Sequence, residues 1–292
     1  MKTQLFAAAA VLALAVSAPA FAQNVGSIGA AVNYNDVKAT GVDADGTSVK
    51  VDGNVAIPTG TWTVTLNGNV SVSDNDLSDE TVASTAAHAT TLVAGDTVRV
   101  GGFAALARPS NDTLWAVGAE ASKYFDKVTL NGQVAYGQSN DLDADLYAVR
   151  GEARYFVSDD FRLDAGAGYT NLDRDAGLNA DIWDVNVGGE YKFANTGWST
   201  FGKYTHTESK DLADLNAEAV KVGFRYTFGG SLKTRDRSGA DLIDADTLFG
   251  FGVRSKARRS PSADKETPRS FGSGAFHFIY MQRERGWATS GR

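Results

Sequence analysis

Val220-Lys221-Val222-Gly223-Phe224-Arg225-Tyr226-Thr227-Phe228 places apolar and aromatic residues at every second position, against Lys, Gly, Arg and Thr between them. A period of two is a β-strand with one apolar and one polar face. In a soluble sandwich the charged face meets water and the apolar face meets a core. In a membrane barrel the same strand sets its aromatics against lipid and its charges in a watery lumen. The rest of the chain decides between these two solvents.

Met1–Ala22 has the layout of a secretory signal peptide. Lys2 precedes an apolar run from Leu5 to Val16, and Ala20-Phe21-Ala22 forms a cleavage site before Gln23. After Gln23 no stretch approaches the ~18 apolar residues of a spanning helix, so residence in a membrane demands a closed barrel. Cysteine is absent, which removes disulfide staples, thiolate metal sites and cysteine nucleophiles. The three histidines, His88, His206 and His277, are far apart, so no histidine-based metal or catalytic centre is expected.

Charge divides the chain. Residues 229–292 hold 12 Lys or Arg and 7 Asp or Glu, whereas Gln23–Phe228 hold 15 basic and 28 acidic residues. This break predicts three parts: a signal peptide over 1–22, a barrel over 23–228, and a basic, disordered tail over 229–292. From Ser255 onward the alternation, the Gly-aromatic style and the acidic bias vanish together, as in a reading-frame slip or a periplasmic extension.

Within 23–228 a hairpin recurs. Glu120–Tyr136, Glu152–Tyr169 and Glu190–Tyr204 each read as strand, aromatic, short polar turn, strand, aromatic. Looser copies span Val49–Val72 and Val82–Leu106. The turns fall near Gly60, Gly95, Asp126, Asp159 and Thr196, spaced by 35, 31, 33 and 37 residues. Five hairpins, an opening strand over Ser27–Tyr34 and a closing strand over Ala219–Phe228 predict about twelve strands. Thr81–Val93, which lacks aromatics, is the weakest strand, and ten is the fallback. Longer acidic stretches (Val42–Gly46, Ser73–Glu80, Ser139–Asp145, Asn171–Asp181, Glu208–Glu218) alternate with the short turns. Trp62, Tyr124, Phe125, Tyr155, Phe156, Phe161, Phe193 and Trp198 flank those turns as an interfacial girdle does.

The fold class expected is therefore all-β: a transmembrane, antiparallel, up-and-down β-barrel. The strand ending at Phe228, with Val220, Val222, Phe224, Tyr226 and Phe228 on one face, resembles the terminal assembly signal of Gram-negative outer-membrane barrel proteins. With the signal peptide and hairpin repeat, 23–228 resembles the small porin-like members of that class. The resemblance implies an outer-membrane location, contact with outer-membrane lipid and the barrel-assembly machinery, and passage of small hydrophilic solutes or ions. The chain departs from the pattern by continuing past Phe228.

Alternation assigns Lys50, Asp52, Arg99, Arg150, Glu152, Arg154, Arg162, Asp164, Asp184, Glu190, Lys192, Lys221 and Arg225 to the polar, pore-lining face, together with Glu120 and Lys203. A charge facing lipid near the midplane costs ~2–4 kcal/mol for Lys or Arg, which explains the segregation. Nine basic against six acidic lumen groups predict a mildly anion-preferring porin for passive diffusion. The same Arg and Glu residues can instead neutralise one another in a closed barrel that acts through its surface loops, in adhesion or envelope integrity. A secreted soluble β-sandwich is the second alternative. The strands around Leu114–Phe125 and Trp198–His206 leave their faces open. No enzyme is expected, because no nucleophile and base pair along the strands. Asp43-Ala44-Asp45-Gly46 and Asp141–Asp145 complete no calcium ligand set, so neither metal nor cofactor is expected. Export argues against a nucleic-acid partner for the basic tail.

Cleavage after Ala22 should leave Gln23 at the amino terminus of the mature protein, as intact-mass and peptide mass spectrometry of the membrane fraction will read. An unprocessed Met1 in the cytoplasm would exclude export.

Overall fold

The computed structural model describes residues 24–40, 42–74, 80–109, 113–139, 144–174, 179–211, 214–244 and 247. Residues 1–23, where the signal peptide is expected, and those beyond 247 lie outside the described residues. Twelve strands run in order: β1 (Val25–Ala39), β2 (Val42–Thr59), β3 (Trp62–Asp74), β4 (Glu80–Val93), β5 (Val98–Pro109), β6 (Leu114–Tyr124), β7 (Val128–Ser139), β8 (Ala144–Ser158), β9 (Phe161–Arg174), β10 (Ala180–Lys192), β11 (Trp198–Ser209) and β12 (Leu215–Phe228). One short helix follows, α1 (Leu232–Arg237).

Every strand pairs antiparallel with its sequence neighbours, and β12 returns to β1 from Gly26↔Phe228 to Lys38↔Asn216. Closure gives each backbone N–H and C=O a partner without water and leaves no edge. This explains β4, the strand with the weakest propensity. Its small residues still join β3 and β5 along their length, from Val72↔Thr81 to Val93↔Val98. The barrel thus has twelve strands, and the ten-strand fallback is excluded.

The five predicted turns join strands at one end of the barrel through two to five residues, and Gly60 (φ 67°) and Gly95 (φ 64°) supply left-handed backbone there. Val42–Gly46, expected as loop, instead belongs to β2, paired up to Ala39↔Val42. Its acids Asp43 and Asp45 are exposed there, so polar composition did not end the strand.

The outward face is apolar. Val149, Val185, Val187, Val220, Val222 and Phe224 are each about half exposed, an inversion of a soluble core. Aromatics ring both ends. Phe161–Tyr191 and Trp198–Tyr226 pack at the short-turn end, and Trp115–Tyr136–Tyr147 and Tyr169–Trp183 at the other. Two residues expected in the girdle are misplaced: Tyr124 and Phe156 point inward and are buried.

The interior has three zones. At the end away from the short turns, Val37, Phe103, Leu114, Leu146, Leu172 and Leu215 form an apolar collar with several alanines. The polar face that alternation assigned therefore does not extend to this end of the lumen. Charged residues occupy the middle. The short-turn end is filled by 231–244, with Leu232 and Arg235 fully buried. The expectation of a disordered tail from Gly229 fails over this segment.

Closure of the barrel does not use 231–244, so the chain cut after Gly230 should still insert into membranes. It should lose heat-resistant mobility on semi-native gels at a lower temperature than the full chain, because buried wall charges lose partners. An unchanged transition would show that the segment contributes nothing to the folded barrel.

Candidate functional site

The charged zone is built by inward-pointing residues from most strands. Lys50 and Asp52 come from β2, Arg99 from β5, Arg150, Glu152 and Arg154 from β8, and Arg162 and Asp164 from β9. Asp184, Glu190 and Lys192 come from β10, and Lys221 and Arg225 from β12. All thirteen lie on the inner faces of their strands. The unresolved faces settle as well: Leu114, Ala116, Glu120, Ser122 and Tyr124 point inward on β6, and Ser199, Phe201 and Lys203 on β11.

Two ion pairs use one local device. Arg150 Nη1 meets Asp184 Oδ2 at 2.8 Å across β9, where Gly168 is in register with both. A Cβ on Gly168 would lie 2.4 Å from both Arg150 Nη1 and Asp184 Oδ2. Arg225 Nη2 reaches Asp52 Oδ2 at 2.9 Å over Gly29 of β1 in the same way. The missing side chain on the middle strand lets two strands that do not touch be joined by charge. The Arg225 guanidinium also stacks on Phe201, 4.5 Å from its centroid.

The segment after β12 completes the remaining pairs. Gly229 (φ 83°) and Gly230 (φ 149°) turn the chain off the wall and into the lumen. Ser231 then caps α1 by accepting from the Thr234 N–H at 3.1 Å. At the rim, the Lys233 N–H donates to Asp159 O (3.0 Å), and the Arg237 guanidinium donates to Phe125 O and Asp126 O. Inside, Arg235 donates to Asp241 (2.8 and 2.9 Å), to both oxygens of Glu190 (3.0 and 2.6 Å) and to Thr227 (2.6 Å). Asp236 accepts from Arg154 and Thr129, both at 2.6 Å. Asp241 accepts from Arg162 at 2.7 Å. Arg99 donates to Arg237 O (2.9 Å) and Thr65 to Gly239 O (2.8 Å). These partners lie on β3, β5, β7, β8, β9, β10 and β12, so the segment spans the lumen from wall to wall.

Between the stopper's Asp241–Asp244 and the charged wall lies a cavity of ≈ 120 Å³, room for a few water molecules. Lys50, Lys203, Lys221, Glu152, Asp164 and Asp244 are among its lining residues. Lys203 and Lys221 face each other directly across β11 and β12, a like-charge pairing that costs stability unless other charges answer it. Lys203 lies 3.7 Å from Glu152. Lower down, His88 Nδ1 meets Glu120 Oε1 at 2.8 Å and its Nε2 meets Asn67 at 2.9 Å. No nucleophile joins them among their described hydrogen bonds, and no cluster of metal-ligating residues occurs among the described residues.

The stopper was missed in the sequence although a signal was present. Ser231-Leu-Lys-Thr-Arg-Asp-Arg237 is an N-cap followed by a short charged helix. The inward leucines were missed because they share the inner faces of their strands with polar, charged and small residues.

Burial disfavours the Asp241 carboxylate, but Arg235, Arg162 and Arg154 overcome that and hold its pKa at about 2. A carboxyl lowered from its free value of ~3.9 stabilises above that value and loses the contribution as pH falls through its folded pKa. The heat-transition temperature of the full chain should thus be steady from neutral pH to about pH 4, then drop towards pH 2. In Asp241→Asn the extra drop below pH 4 should be smaller. An equal acid response in both proteins would remove Asp241 from the stopper's electrostatics.

No protein-family model matches the sequence, and no curated protein matches it. Solved structures do. An outer-membrane channel of Pseudomonas putida F1 aligns with 70% of this chain and 96% of its own, at 14% identity and a TM-score of 0.52. The NanC porin aligns with 68% of this chain and 98% of its own, at 10% identity and a TM-score of 0.50. At such identities the likeness speaks for the fold alone. With the lipid-facing apolar band, the two aromatic girdles and the closed twelve-strand ladder, it is the fold of an outer-membrane β-barrel protein.

Proposed function

We propose that this protein is an outer-membrane channel for small hydrophilic solutes, with a mild preference for anions, closed in the described state by its own residues 231–244. The observation that carries this reading is the charged inner wall. Nine basic side chains face six acidic ones there, in a barrel domain whose sequence is otherwise strongly acidic. A barrel that only displayed loops would need no surplus of buried cations, which are costly to desolvate. A passage for anions uses them, because fixed charges at a narrow point select ions. The outward row Val220, Val222, Phe224, Tyr226 and Phe228 supports recognition by barrel-assembly machinery, and processing after Ala22 supplies the export route. The stopper and the apolar collar favour a second reading, a permanently closed barrel acting through its surface.

Planar-bilayer recording on the full chain separates them. Voltage-driven openings with a reversal potential on the anion side are expected in a potassium chloride gradient. Lys203→Gln with Lys221→Gln removes two of the cavity's charges, and should move the reversal potential towards cations. Loop charges are screened beyond ~10 Å at 0.1 M salt, so the shift should survive higher salt. Insertion without any opening would favour the closed barrel, and unchanged selectivity would remove these lysines from the path.

A further inference from the structure

The stopper does not merely fill space: its acids sit on the wall's surplus cations. Within the lumen it contributes Asp236, Asp241 and Asp244 against Arg235. Asp236 holds Arg154 and Asp241 holds Arg162, each through a short charge-assisted bond. If the segment left, Arg154 would keep Glu152, while Arg162 would keep Glu190 at 3.4 Å and Asp164 at 3.8 Å. Two buried guanidinium groups would each lose their most direct stopper partner. Glu190, freed of Arg235, would retain Arg162 and Arg225. The wall would then have lost one carboxylate partner at each of two adjacent places, on the neighbouring strands β8 and β9.

The attachment suits departure. The covalent link to the barrel is Gly229-Gly230, both in backbone regions open to glycine. Most wall-facing bonds of the segment are polar and can be exchanged for water or for another acid, and its apolar anchors are Leu232 and Leu242.

We propose that residues 231–244 are a removable occupant of an anion site. The carboxylates of Asp236 and Asp241 hold the seats on Arg154 and Arg162 that the carboxylates of a small di- or tricarboxylate solute take when the segment swings out. This inference rests on the channel reading and adds the solute class and the gate. A solute that binds only the vacated wall shifts the population towards the open state, as any ligand with differential affinity does.

The test uses the full chain, which has no native cysteine, with Asp159→Cys and Lys233→Cys. The Lys233 N–H lies 3.0 Å from Asp159 O, so the two backbones are close enough for a disulfide. In planar bilayers the oxidised protein should stay shut and ignore citrate. After reduction, openings should appear, and millimolar citrate should raise the open fraction about tenfold, equivalent to ~1.4 kcal/mol, whereas glucose should not. Asp236→Asn with Asp241→Asn, free of engineered thiols, should be more open than the unmodified chain. Equal currents in the oxidised and reduced forms would overturn the gate while leaving the channel reading intact. Reduction-dependent currents indifferent to citrate would overturn the anion seats. Silence of every form, including the double Asn variant, would overturn the channel reading and this inference with it.

Discussion

A bilayer offers no hydrogen-bond partner to the backbone, and the rest of this molecule follows from that constraint. Strands β1 and β12 must find each other, and they do so over thirteen consecutive register pairs. Once the ladder closes, side chains have only two environments. The lipid side selects Val, Leu and aromatics; the inside receives every charge that the strands carry at depth. The same requirement recruits β4, whose alanines, serines and threonines would make a poor strand alone. Its neighbours need its backbone, whatever its side chains prefer.

Sending all charge inward creates a second problem, since a narrow barrel cannot hydrate a dozen ionised groups. The molecule answers with pairing geometry. Gly168 and Gly29 clear the wall so that Arg150–Asp184 and Arg225–Asp52 bridge strands two apart. Where the wall has more cations than anions, the chain's own continuation brings carboxylates. Arg235 at the centre of that segment binds Glu190 and Asp241 together. Breaking one member of such a buried network costs several kcal/mol, because the partner is left charged and unpaired. A stopper held this way is specific, and it is also sensitive to any solute able to supply equivalent charge.

The barrel was legible in the sequence because two strong periodicities coincide there: alternation within Trp62–Val72, Tyr147–Tyr155 and Val220–Phe228, and hairpin turns about every 34 residues. Turn-flanking aromatics were read too uniformly. Tyr124 and Phe156 sit beside turns like their neighbours, but their strand parity turns them inward, where Tyr124 accepts from Arg99 at 3.1 Å. The collar was illegible for a related reason: Leu114, Leu146, Leu172 and Leu215 share faces with polar residues, and their apolar partners come from other strands. The stopper was hidden by composition. Its basic, Pro-free start was averaged with the unrelated residues that follow, although Ser231, Asp236 and Asp241 belong physically to the barrel.

The most direct test of the account asks whether residues 231–244 occupy the lumen entrance of the membrane-embedded protein. Lys233 Nζ lies 3.5 Å from Asp126 and 3.6 Å from Asp159, within reach of a zero-length carbodiimide cross-link. Peptide mapping of carbodiimide-treated outer membranes should recover Lys233 joined to the turn peptides that contain Asp126 or Asp159. A Lys233 that stays uncoupled, while Lys192 couples to Asp160 at 3.2 Å in the same sample, would contradict the stopper.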